Sequence, residues 1–196
     1  MTTTSLAMLD QAELLQIALN ASRSNDSGTA IAYLKEAVTR PDATPQAHFL
    51  LGSEYAQIRM VDRAVSEMEA AIALDPTFSI ARFQLGLLSL TSGAADRARD
   101  VLQPLDELGN ENALAHFGRG LRHLIQDEFA DAVQCLQHGI SLNADNQALN
   151  SDMQRILDEI NRLPPETLQK KSDTASSEET AAHHIFISAY TGNGNQ

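Results

Sequence analysis

His183 and His184 stand side by side near the end of the sequence, and paired imidazoles are a natural start for a metal site. No cysteine or carboxylate lies at ligand spacing around them, so no metal is expected there. Cys135 has His138 three residues on, the pairing a thiolate nucleophile needs, but such i, i+3 neighbours are common by chance on any helix. Gly192-Asn193-Gly194 has the glycine spacing of a phosphate loop without the following helix that would supply backbone N–H groups. Gly118-Arg119-Gly120 falls inside a helical stretch. His48 and His116 read as partly exposed helix residues, and Asp96, Asp100, Asp127, Glu128 and Asp131 as a solvated acidic face. The expectation is a chain that is not an enzyme, with no catalytic residue, no cofactor and no metal.

Composition sets the class. The 196 residues carry a net charge of −12, with 43% hydrophobic and 5% aromatic residues and no tryptophan. Such acidity argues against nucleic acid and anionic membrane surfaces, which attract basic patches. One cysteine excludes an internal disulfide. No stretch approaches the roughly 18 apolar residues of a membrane span, so no membrane insertion is expected. The opening MTTTSLAMLD lacks the basic and apolar regions of a signal peptide. A cytoplasmic protein is expected, in which the Asn-x-Ser triplets at Asn20 and Asn25 carry no glycan.

The elements follow a period. A shift of 34 residues brings Gly52, Gly86 and Gly120 into register, with Ala18 one period earlier. Ala30, Ala64, Ala98 and Ala132 align twelve residues on, then Leu34, Met68, Leu102 and Leu136. Glycine inside a helix costs about 1 kcal/mol against alanine, so a recurring one implies close helix packing. Helices are expected at about 9–23, 28–40, 44–57, 61–74, 78–91, 94–108, 112–125 and 128–142. Pro45 suits a first turn, and Pro104 should kink the sixth helix. A ninth helix, about 146–162, carries one apolar stripe of Leu149, Met153, Ile156, Leu157 and Ile160 and ends at Pro164-Pro165.

The grammar of this period resembles the tetratricopeptide-repeat (TPR) family. The segment HFLLGSEYAQIRMVDRAVSEMEAAIALDP matches it at Leu51, Gly52, Tyr55, Ala64, Met68, Ala71 and Pro76, with His48 where the family prefers tryptophan. The resemblance spans repeats at 11–44, 45–78, 79–112 and 113–146, after a lead-in at 1–10. The last repeat departs from the pattern at Arg119, His123, Gly139 and Ala144. It implies an all-α, right-handed TPR solenoid of four helical hairpins, a capping helix at 147–162, and a polar linker and tail at 163–196. In such hairpins the first small residue faces the alanine twelve later.

The family also implies a groove, lined by the first helix of each repeat. Its fifth position holds Leu15, Phe49, Phe83 and Phe117; its ninth holds Leu19, Ser53, Leu87 and Leu121; its twelfth includes Leu90 and Leu124. The first two repeats are mixed and the last two almost wholly apolar, extended by Ile80 and Leu114. Leu, Phe and Ser stand where carboxylate-clamp co-chaperones use Lys, Asn and Arg, so no such clamp is expected. Three occupants of the apolar half stay open: its own side chains as core, an external peptide or helix, or the chain's own tail. That tail is polar from Pro164 and then carries HHIFISAY, 183–190, whose Ile185, Phe186, Ile187 and Tyr190 form an apolar island with strand propensity on an expected flexible tether.

The functional expectation is a scaffold or adaptor that binds an apolar peptide or helix of another protein, autoregulated by the tail. Two alternatives are a cytosolic chaperone for a secreted protein and a regulatory subunit tethered to an enzyme through the tail. The chain is expected to be a monomer, or a weak homo-oligomer through stacked repeat ends.

Overall fold

The computed structural model describes residue 6, residues 8–164, and residues 185, 186, 188 and 189. Among these residues the chain is all-α, without a strand. Within residues 8–164 the α-helices run in order: α1 Gln11–Arg23, α2 Ser27–Thr39, α3 Pro45–Gln57, α4 Val61–Leu74, α5 Ser79–Thr91, α6 Ala95–Leu102, α7 Ala113–Ile125, α8 Phe129–Leu142 and α9 Gln147–Asn161. A 3₁₀ helix, Gln103–Leu108, follows α6. Pro104 has no N–H to continue the α ladder, so the expected long sixth helix breaks there and closes on Gly109 at φ 81°.

Side chains start several helices. The Asp10 carboxylate accepts from the Glu13 N–H at 2.8 Å, and Glu13 accepts from the Asp10 N–H at 2.9 Å, a complete capping box. Thr44 caps α3, with Pro45 in the first turn where its missing N–H is harmless. Asn146 caps α9 by accepting from the Leu149 N–H at 3.0 Å. Asn146→Ala is expected to lower stability by about 1 kcal/mol in urea denaturation.

Helix ends repeat the 34-residue register in the backbone itself. Asn25, Arg59, Gly93 and Asp127 all have positive φ, between 55° and 78°. After each, an N–H reaches back five residues: Asp26 to Ala21 (2.9 Å), Met60 to Tyr55 (2.8 Å), Ala94 to Ser89 (2.8 Å) and Glu128 to His123 (2.9 Å). These are Schellman closures, which turn the chain sharply from the first helix of each hairpin into the second.

Inside the hairpins Gly86 and Gly120 are a steric necessity, and Gly52 is tight. A Cβ on Gly86 would lie 2.4 Å from Leu102 Cδ2, and one on Gly120 would lie 2.8 Å from Leu136 Cδ2. On Gly52 it would meet the flexible end of Met68 at 3.1 Å. The expected partner, the alanine twelve residues on, contributes its backbone carbonyl: Ala64 O at 3.2 Å and Ala132 O at 3.3 Å. The large side chain sixteen residues on is what fills the space.

The chain forms two compact halves, residues 1–85 and 86–196. In the first, α1 packs on α2, α2 on α3 and α3 on α4. Leu14, Ala37 and Ala47 form a buried cluster, with Leu6, Leu9, Leu15, Tyr33 and Val38 against it. The Arg40 guanidinium donates to the carbonyls of Leu6, at 2.8 Å, and Leu9, fastening the residues ahead of α1. In the second half α7 is central, packing against α6, the 3₁₀ helix and α8, and α9 packs on α8. Asp106 anchors the 3₁₀ helix through Arg122 (2.5 Å) and Arg119 (3.2 Å). The α9 stripe of Leu149, Met153, Ile156, Leu157 and Ile160 is entirely buried.

Candidate interaction surface

The predicted groove positions differ between the halves. In residues 1–85, Leu15, Leu19, Phe49 and Ser53 are half-buried. Leu15 leans on the buried cluster of its half. The Phe49 ring meets Phe78 edge-on, with centroids 5.4 Å apart. The Ser53 hydroxyl donates to Phe49 O at 2.9 Å, so it is spent within its own helix. Phe83, also in this half, is fully buried.

In residues 86–196 the fifth-, ninth- and twelfth-position groove residues are buried, with Leu87 6% exposed, Leu90 3%, and Phe117, Leu121 and Leu124 0%, whereas Leu114 is half-buried. Phe117 lies across from Gly139 in its own hairpin, where an added Cβ would fall 2.5 Å from the ring. Its side chain is therefore engaged within the repeat.

The apolar island of the tail is also covered. Ile185 is 1% exposed, Phe186 0% and Ala189 7%. Residues 185, 186, 188 and 189 have helical backbone, which corrects the strand expected from their composition. A helix brings positions 185, 186 and 189 to one side, whereas a strand would send 185 and 186 to opposite faces. One-sided burial thus overrides the strand propensity of the Ile and Phe residues. Ile187 and Tyr190 lie outside the described residues.

The chemistry-bearing residues sort by burial. His116 is buried rather than partly exposed: its Nε2 lies 2.8 Å from Asn110 O, and its ring sits edge-on to His138 at 4.3 Å. His48 is half-buried, with Nδ1 2.7 Å from Glu67 Oε2. Burial pushes the Cys135 thiol up from its ordinary value, partly offset by Arg119, which is opposite to what an activated nucleophile needs. Asp96 and Asp100 are solvated as expected. Glu128 and Asp131 belong to a closer arrangement, in which His123 Nδ1 lies 2.6 Å from Glu128 Oε2 and the ligand atoms of all three residues lie within 4.8 Å of one another. The spacing 123, 128, 131 crosses a helix end, so a helical wheel does not show it; only the turn geometry does.

No helix among the described residues is long and apolar enough to cross a membrane. The tetratricopeptide-repeat family model matches residues 53–110. No curated protein sequence matches the chain. Among solved structures, a MamA fragment from Desulfovibrio magneticus RS-1 is 19% identical over 96% of this chain and 99% of that one, with a TM-score of 0.62. A thermophilic TPR protein of Thermus thermophilus, TTC0263, is 14% identical over 93% of this chain and 100% of its own, with a TM-score of 0.59. YrrB, described as a TPR protein with an unusual peptide-binding site, is 17% identical over 70% of this chain and 71% of its own, with a TM-score of 0.55.

Proposed function

We propose, from the premise that this chain is a tetratricopeptide-repeat protein, that it is a protein-interaction scaffold in the cytoplasm whose apolar register positions receive one short apolar helix, and that its own segment around Ile185–Ala189 holds that place until a partner replaces it. The observation that carries the reading is double burial. Leu87, Leu90, Leu121 and Leu124 are covered, and so are Ile185, Phe186 and Ala189, all within residues 86–196. An apolar set on α5 and α7 and an apolar set at the end of a polar tether complement each other physically. A tethered segment acts at an effective concentration around millimolar, so even weak docking keeps the site closed.

Binding without catalysis accounts for the residues that are present. The positions that would grip a carboxylate terminus hold Leu, Phe and Ser, so recognition is apolar. The likeness to YrrB supports peptide binding as a use of this fold. The resident segment also suggests what a partner presents: a helix with large apolar residues at adjacent positions and a small one at i+4.

The test is a fluorescent peptide, HHIFISAY, titrated into the full chain and into its Phe186→Asp variant. The variant is expected to bind it with micromolar affinity, and wild type roughly tenfold or more weakly, because the tethered copy competes. Adding Leu121→Glu to the variant should abolish binding. Equal binding by wild type and variant, or none by either, overturns the reading.

A further inference from the structure

The fourth hairpin carries a constellation that the other three lack. His123 lies in the last turn of α7, Glu128 is the N-cap of α8, and Asp131 lies in the first turn of α8. The Schellman closure ties the first two together by backbone, since the Glu128 N–H donates to His123 O at 2.9 Å. Asp131, three residues beyond Glu128, sits on the same side of α8. The juxtaposition is a property of the repeat. Sixty-eight residues earlier the same register holds Tyr55, Met60 and Arg63, and there Arg63 lies over the Tyr55 ring at 5.6 Å. One turn geometry therefore brings these positions together twice, with an aromatic–cation pair in one hairpin and an imidazole with two carboxylates in the other. The first and third hairpins place Ala21, Asp26 and Thr29, and Ser89, Ala94 and Arg97, in that register.

We infer that His123, Glu128 and Asp131 form a binding site for a divalent cation of the zinc class. One imidazole nitrogen and two carboxylate oxygens are a borderline donor set that suits zinc better than calcium or magnesium, with water completing the shell. A zinc ion holds such ligands at roughly 2.0–2.2 Å, which places ligand atoms about 3–3.5 Å apart. The three donor atoms already lie within 4.8 Å of one another, so closure needs side-chain rotation and no backbone movement. The ion would replace the proton shared between His123 Nδ1 and Glu128 Oε2, at 2.6 Å. Two carboxylates outweigh the partial positive charge of the α8 N-terminus, and a chain of net charge −12 favours cations at its surface. A metal here would staple α7 to α8 at their connecting turn.

The experiment is calorimetric titration of zinc chloride into the full-length chain near neutral pH. The background carries His183→Ala, His184→Ala and Cys135→Ser, which remove the other nitrogen and sulfur donors most able to compete. One site of micromolar affinity is expected, with the thermal midpoint rising as zinc is added. His123→Ala should weaken binding more than roughly tenfold, and Glu128→Gln and Asp131→Asn should each weaken it while the helical circular dichroism stays unchanged. No saturable heat at millimolar zinc, or binding that persists unchanged in both His123→Ala and Asp131→Asn, overturns the assignment.

Discussion

Gly139→Ala is expected to destabilise the chain by about 2 kcal/mol, even though alanine is the better helix former by about 1 kcal/mol. The added Cβ would stand 2.5 Å from Cδ1 and Cε1 of Phe117 and 3.3 Å from Ala113 O. An aromatic ring cannot bend away as a methionine end can, and Phe117 is wholly enclosed, so α7 and α8 would have to separate. The resemblance to the TPR pattern makes this prediction counterintuitive, because alanine is the family's usual residue at that place. At the same register the second repeat holds Phe49 and Ala71, and Phe49 is only half-buried. In the fourth repeat glycine stands at that place, and Phe117 is fully enclosed. Gly28→Ala supplies the control: Gly28 is exposed in α2, and its Cβ would meet only Asp26 Oδ1 at 3.6 Å, so a gain of roughly 0.5–1 kcal/mol is expected. Phe117→Leu should absorb much of the Gly139→Ala penalty, so urea denaturation of both single variants and the double variant should show clear non-additivity. A neutral Gly139→Ala would mean that the ring does not rest on that glycine.

How much of this was legible before the structure depends on the kind of information involved. Small residues recurring at fixed distance mark helix contacts, so Gly52, Gly86 and Gly120 give the hairpin fold, and the helix boundaries fall within about two residues of those expected apart from the break at Pro104. The turn residues leave no such trace. Asn25, Arg59, Gly93 and Asp127 share a left-handed backbone yet differ in every side-chain property, because the role is conformational and three of the four bear the strain without being glycine. The pairing of Phe117 with Gly139 spans 22 residues across a hairpin and is visible only as a departure from the family's alanine. His123, Glu128 and Asp131 look like an aromatic replacement and two solvated acids until the turn folds them together. The tail failed for a further reason. Ile185 and Phe186 have strand propensity by type, but their conformation is set by what covers them, and propensity is a weak guide once burial is one-sided.

If the segment docks as proposed, the second large effect is a saturating one. Phe186 is fully enclosed, and enclosing a phenylalanine is worth roughly 1.5–3 kcal/mol. If the segment were an integral part of the core, losses would accumulate: Ile185→Asp and Phe186→Asp would each cost several kcal/mol, and together could consume much of the roughly 5–15 kcal/mol that holds a domain folded. A tethered segment behaves differently, because it has a cheaper way to respond, which is to leave. The total cost of any tail substitution is then capped at the free energy of docking. The expected result is that Phe186→Asp lowers stability by about 2 kcal/mol, and that Ile185→Asp/Phe186→Asp and a stop after Pro164 lower it no further. The same three variants should expose amides of α7 around Leu121 and Leu124 to faster hydrogen exchange, while α2 around Leu34 stays protected. Additive losses with global unfolding would identify Ile185 and Phe186 as ordinary core. A plateau would identify a displaceable occupant, and its height would give the affinity that a competing partner helix must exceed.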